Sequence, residues 1–210
     1  MSFDLWLTFV AASTALLLIP GPTVLLVLSY ALSQGRRVAV ASASGVALGD
    51  LVAMTASLAG LGALVLTSAV LFTALKWVGA AYLVWMGFRL LRSAPNAGLN
   101  LPDAPGAVRA GSVFWHAAAV TALNPKSIAF FIAFVPQFIR PDQPLLPQFA
   151  ILIATFVGLA TFNALAYALL ADRLRATIGR PSVILWLTLT GGVALVAMGV
   201  MTATLRRATS

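Results

Sequence analysis

Six apolar runs fill most of this chain: roughly Leu5–Leu32, Val38–Leu66, Val70–Leu91, Val113–Ile139, Leu145–Leu170 and Val183–Leu205. Each is near or above the ~20 residues that a helix needs to cross a bilayer. Hydrocarbon offers backbone amides and carbonyls no water, so a spanning run must satisfy them internally, as helix. Composition agrees, with 61% hydrophobic and 9% charged residues, against roughly a quarter charged in soluble domains. The expected fold is an all-α integral membrane protein with six transmembrane helices. The first run follows Met-Ser-Phe-Asp. It lacks the basic start of a secretory signal and exceeds the length of a signal's apolar core.

The connections divide the chain into two three-helix halves, about 1–92 and about 113–210. Between them lies a linker at about 93–112, marked by Pro95, Gly98, Pro102, Pro105 and Gly106. Gln34-Gly35-Arg36-Arg37 joins the first two runs, and Thr67-Ser68 makes a tight turn between the second and third. With three spans per half, the halves must run in opposite directions, as two inverted repeats. Arg36, Arg37, Arg89, Arg92, Arg109, Arg173, Arg175 and Arg180 cluster at odd-numbered connections. The even ones offer Arg140, with Lys76 inside the third run and Arg206 and Arg207 after the last. Positive residues favour the cytoplasmic side, which places both termini outside.

Several chemistries are excluded by what is missing. The chain has no cysteine, no glutamate and one histidine, His116. Disulfides, thiol catalysis and histidine metal clusters are therefore out of reach, and no cofactor or metal is called for. The net charge of +8 is explained by topology rather than by nucleic acid. The partners expected are the lipid bilayer and a small-molecule substrate, with a homodimer compatible with the apolar helix faces.

Two interruptions stand out. Pro20-Gly21-Pro22 falls in the middle of the first run, and Asn124-Pro125-Lys126 in the middle of the fourth. Proline removes an amide donor and clashes with the preceding turn. The expectation is a first and a fourth helix that break at matching places, which is the sequence pointer to a transporter's binding site. Pro20 and Pro22 should release the carbonyls of Leu16 and Leu18, while the restart leaves the amides of Thr23, Val24 and Leu25 without upstream partners. A helix start attracts an anion and loose carbonyls attract a cation, so one break offers both halves of a zwitterion site. A simple proline kink is the plainer alternative.

Asp50 lies near the centre of the second run. A carboxylate there costs at least ~2.5–3.5 kcal/mol on insertion scales and should face the bundle interior. It is a candidate ion-coupling residue, ammonium partner or structural ion-pair member. Lys126 is its natural counter-charge when the site is empty. Asn163 and Tyr167, one turn apart in the fifth run, can line a polar path or bond across helices. Gly45 and Gly49 mark a close helix contact. Lys76 near a helix end suits snorkelling, and Trp115 with His116 suits an interfacial aromatic pair.

These blocks resemble the LysE/RhtB amino-acid exporters of bacteria. The likeness rests on "IPGP" in the first run, "GVALGD" in the second, "KWVGAAYLVWMGFRLLRS" in the third and "ALNPKSIAFFIAFVPQF" in the fourth. It runs from about Leu5 to Arg207. The family's motif positions map onto Pro20, Gly21, Pro22, Gly45, Gly49, Asp50, Asn124, Pro125 and Lys126. The resemblance implies a six-helix inner-membrane carrier that exports an amino acid or close derivative, driven by a proton or sodium gradient. The chain lacks the Gly-x-x-x-x-Gly-Lys-Ser/Thr loop of an ATP-driven machine. Competing readings are export of another solute (a nucleobase, nucleoside or metal ion) and a membrane scaffold or enzyme. One core carboxylate without cysteine argues against metal cargo, and no catalytic set supports an enzyme.

Overall fold

A computed structural model describes residues 1–19, 21–67, 69–94, 108–140, 143–171 and 180–204. Pro20, Ser68, Pro141, Arg173, Arg175, Arg206, Arg207 and linker residues 95–107 lie outside the described residues. Within them all regular structure is helical.

Helix α1 spans Phe3–Leu18, with Asp4 in its first turn, where the helix dipole favours an acid. Helix α2, Pro22–Gln34, opens with proline at its first position. That position needs no amide donor and suits proline's fixed φ. The chain then turns at Gly35, whose φ of 76° favours glycine. Helices α3 (Arg36–Thr67) and α4 (Ala69–Ser93) follow. After the linker, α5 runs Ala110–Ala122 and α6 runs Pro125–Ala129. The same rod continues through a π-helical turn, Phe130–Phe134, and a 3-10 turn, Val135–Phe138. Helices α7 (Leu145–Leu169) and α8 (Pro181–Thr204) complete the bundle.

Four stretches are long and apolar enough to cross a membrane: Arg36–Ala63, Ala110–Phe138, Leu145–Leu169 and Ser182–Thr204. The pair α1 and α2, bent by 57°, makes a fifth if counted as one span. Large apolar side chains cover much of the exterior, among them Trp77, Val78, Trp85, Phe162 and Trp186. In water such a surface would be an aggregation liability; against lipid it is the expected solvent face.

Small residues set which helices touch. A Cβ at Gly45 would overlap the carbonyl oxygen of Phe114, and one at Gly49 would sit 2.6 Å from that of Ala118. Helix α3 thus lies almost backbone to backbone on α5. Helices α4 and α8 approach in the same way. A Cβ at Gly87 would be 2.7 Å from the Gly192 carbonyl oxygen, and one at Gly199 would be 2.8 Å from that of Ala80. In lipid, close packing of this kind does the work that the hydrophobic effect does in water.

Two apolar clusters fill the interior. One is built around Phe9, Leu16, Met54, Leu58, Phe130, Phe131, Phe134, Phe138 and Phe156, and Met1 packs against it. The other uses Val27, Tyr30, Val38, Ala39, Ala43, Val46, Ala117, Ala164 and Ala168, with Val108 and Ala110 packed on it. At that second end the Val108 amide donates to Gln34 Oε1 at 3.4 Å, joining the first connection to the end of the linker. The starts of α3 and α5 converge there, with Arg36, Arg37 and Arg109. At the other end Gln148 closes the loop before α7, accepting from the Arg140 amide at 2.8 Å and donating to its carbonyl at 2.9 Å.

Candidate functional site

Between the two clusters lies a small cavity, lined by both helix interruptions and by the middles of α3 and α7. Its polar lining comes from Thr23, Asp50, Asn124, Lys126, Ser127, Asn163 and Tyr167, and Gly21 borders it. The cavity has room for water among these polar groups.

The first interruption leaves α1 with an extended residue, Ile19, and α2 with an extended N-cap, Gly21, that has no side-chain cap. The second half of the chain meets the exposed carbonyls. Lys126 Nζ donates to the carbonyl oxygens of Leu16 at 3.1 Å and Ile19 at 3.0 Å. Asn163 Nδ2 donates to that of Leu17 at 3.3 Å. Leu16 and Leu17, with Ile19, are therefore the carbonyls in use here, whereas proline geometry alone points to Leu16 and Leu18. The restart of the helix also differs from expectation. The Leu25 amide already donates to the Gly21 carbonyl at 3.0 Å, so only Thr23 and Val24 keep first-turn amides without a helical acceptor.

The second interruption is closed locally. Asn124 caps α6, its Oδ1 accepting from the Lys126 amide at 3.1 Å. Its Nδ2 donates to Thr23 Oγ1 at 3.2 Å, and Thr23 Oγ1 lies 3.4 Å from Thr121 Oγ1. The two interruptions are thus bonded to each other: Thr23 of one to Asn124 of the other, Lys126 of the second to the carbonyls of the first.

Asp50 is 3% exposed and lines the cavity. Among the described residues it has no hydrogen-bond partner, and Lys126 gives its ammonium to the α1 carbonyls rather than to an ion pair with Asp50. Tyr167 is buried beside Asn163 and lines the same space. Pro22 and Pro125 occupy the first positions of α2 and α6 with exposed rings and do not line the cavity; they begin helices there. Pro20 lies outside the described residues. No group of three or more potential metal ligands occurs among the described residues.

Sequence reasoning missed Ser127, Val46, Ala160 and Ala164, all in the cavity wall. Ala160, Asn163, Ala164 and Tyr167 follow the i, i+3, i+4, i+7 spacing of one helix face, so Asn163 could have led to the two alanines. The carbonyls of Leu17 and Ile19 have no side-chain signature. His116 does not pair with Trp115: its Nδ1 lies 2.9 Å from Tyr30 Oη, and Trp115 packs edge-on against Phe114.

With this geometry in hand, the comparisons with known proteins are specific. The family model of the LysE type translocators matches residues 14–206. A homoserine/homoserine lactone efflux protein of Salmonella typhimurium is 35% identical, over 99% of this chain and 100% of the relative. An uncharacterized membrane protein of Vibrio cholerae is 31% identical over 97% of this chain and 98% of the relative. A leucine efflux protein of Enterobacter is 31% identical over 76% of this chain and 75% of the relative. No solved structure matches. A family match over nearly the whole chain, including both interruptions, establishes that this protein belongs to the LysE type translocator family.

Proposed function

We propose that the protein is a secondary active exporter, moving an amino acid or close derivative out of the bacterial cytoplasm across the inner membrane and driven by a proton or sodium gradient. The observation that carries this reading is the meeting of two interrupted helices at one buried cavity that holds both an acid and a cation. A zwitterion needs a place for a carboxylate and a place for an ammonium in a water-poor interior. The Thr23 and Val24 amides at the start of α2 suit the carboxylate. The α1 carbonyls and Asp50 suit the ammonium, and Asn124, Asn163 and Tyr167 position it. Lys126 balances the charge of Asp50 within the cavity. Asp50 is the ion-coupling residue: a buried acid that can take a proton as substrate leaves links the two movements. The names of the relatives, homoserine, homoserine lactone and leucine efflux, make these amino acids the first substrates to test.

The reading includes six spans, with α1 and α2 as the first, α4 as the third and α5 through Phe138 as the fourth. The helix pairing supports two inverted halves. Helix α3 packs on α5 as α7 packs on α1 and α2, and the α3–α7 and α4–α8 pairs each join equivalent helices of the two halves. The arginines gathered near the starts of α3 and α5 support cytoplasmic odd connections and external termini. The exposed apolar face of α4 suits lipid or a second copy. The chain acts by moving solute, not by enzymatic chemistry.

Purified protein in liposomes, loaded with labelled L-homoserine or L-leucine under an imposed ion gradient, tests the function. Gradient-dependent efflux of either is expected; no flux of either overturns the reading. Single cysteines at positions 36 and 70 test the topology. A membrane-impermeant reagent added outside the cell should label position 70 and spare position 36; the reverse pattern inverts the orientation.

A further inference from the structure

We propose that the Lys126 ammonium is a tethered stand-in for the substrate's own ammonium: in the empty carrier it fills the carbonyl cage at the end of α1 that the transported molecule's amino group takes when loaded. This rests on the reading of the protein as an amino-acid exporter and deepens it at the same site.

The geometry is that of a primary ammonium bound by main-chain oxygens. Lys126 Nζ donates to Leu16 at 3.1 Å and to Ile19 at 3.0 Å. Gly21 leaves room for it, since a Cβ there would lie 3.3 Å from Nζ. An α-ammonium carries the same three donors and the same charge, and would find the same two acceptors. The acceptors make the two occupants exclusive. Two ammonium groups on the Leu16 and Ile19 carbonyls would press like charges together, so substrate takes them only if Lys126 withdraws. Lys126 is the lining group built to do so. Its backbone is held by the Asn124 cap, while its four-carbon stem is flexible. Asp50, in the same cavity and without a hydrogen-bond partner among the described residues, is there to receive the displaced ammonium. Each state then has its charges matched. Empty, Lys126 holds the carbonyls; loaded, the substrate holds them, Lys126 turns to Asp50, and the substrate carboxylate meets the Thr23 and Val24 amides.

This explains why an exporter would place a lysine on the very groups meant for its cargo. A carrier must return empty, and unmet carbonyls in a water-poor interior are costly. A tethered cation lets the empty carrier close, whereas exchange of substrate for substrate never passes through the empty form.

The test uses full-length protein in liposomes and measures net efflux and homoexchange of L-leucine and L-homoserine. Lys126→Met should lower net efflux at least about tenfold more than exchange. n-Propylammonium, which supplies the atoms missing from Lys126→Ala, should restore net efflux in that variant. Equal loss of both modes, or undiminished net efflux, overturns the proposal. Wild-type protein provides an arm that does not depend on a variant folding. 4-Methylpentanoate lacks leucine's amino group; N,N,N-trimethyl-L-leucine keeps the charge but has no N–H to donate. Both should inhibit leucine exchange at least about tenfold more weakly than unlabelled leucine, a difference of about 1.4 kcal/mol. Inhibition by the trimethyl compound at leucine's potency overturns the proposal while leaving amino-acid export intact. Wild-type protein that moves neither amino acid overturns both.

Discussion

The interruptions in the first and fourth apolar runs look alike in sequence, yet their main-chain groups are settled in opposite ways. At the second, everything is local. The Leu123 and Asn124 amides return to the carbonyls of Ala119 and Thr121, Asn124 caps α6, and the Ile128 amide donates to the Asn124 carbonyl. At the first, Gly21 offers no side-chain cap. The Leu16 carbonyl accepts locally from the Ile19 amide at 3.3 Å as well as from Lys126, but those of Leu17 and Ile19 depend on Asn163 and Lys126, more than a hundred residues away. A break that closes itself is a rigid platform and can spend its side chains elsewhere. A break whose remaining carbonyls are closed by distant donors can be reopened and closed again by a ligand. The difference fits the proposed exchange, with the second interruption fixed and the first exchangeable.

The largest expected effect comes from Asp50, the one carboxylate lining the cavity among the described residues. Asp50→Asn keeps the shape and removes the charge. Gradient-driven flux in liposomes should be lost, by about a hundredfold or more, with protein yield and unfolding temperature in detergent little changed. Retained gradient-driven flux would separate the cavity from coupling and strip the comparison of its functional meaning.

Asn124→Ala attacks the platform. It removes the α6 cap, which is worth about 0.5–2 kcal/mol, and the bond to Thr23. Thermal unfolding in detergent should show a loss of about 2 kcal/mol, and exchange of L-leucine should fall several-fold with it. Unchanged stability would mean that the second interruption is not held by its own cap.

Asn163→Leu probes the first interruption from its other donor. The Leu17 carbonyl would lose its partner in a buried setting, a cost of roughly 1–3 kcal/mol. Asn163→Gln, which can still donate, should recover part of that in the same unfolding measurement. Equal loss in both variants would point to packing rather than to the hydrogen bond.

The smallest effects are expected at the two helix-starting prolines. In Pro125→Ala the Asn124 cap remains, so flux should fall about twofold or less. Pro22→Ala has no such cap behind it, and its flux should fall more, about five- to tenfold, at similar protein level. Equal effects in parallel flux assays would make the two interruptions equivalent after all.

Most of the helices were legible because their causes are local. Apolar runs of spanning length, a glycine at Gly35 and prolines at Pro22 and Pro125 act within a turn or two of themselves, and the observed helix ends fall within a few residues of those expected. The close pairing of α3 with another helix was foreshadowed by Gly45 and Gly49, though which helix it would meet was not. Site residues with unusual side chains were legible for a related reason: an acid, a lysine or an asparagine amid apolar neighbours needs a partner. Ser127 and Ala160 were not, because a serine or an alanine is ordinary on a packed helix face.

The residues alone dictate where the chain must be helical, where it cannot be, and which few polar side chains must turn inward. Which groups meet is settled by packing. Lys126 could have paired with Asp50, an attraction that charge alone favours; instead it lies on the carbonyls of Leu16 and Ile19. The Leu25 amide could have waited for a ligand; instead the extended Gly21 turned its own carbonyl onto it. The physical reason is that a main-chain oxygen has no identity in the sequence. Its need for a donor is written wherever a helix stops, but the donor that answers comes from whichever segment packing brings within about 3 Å, and packing is settled by all the helices together.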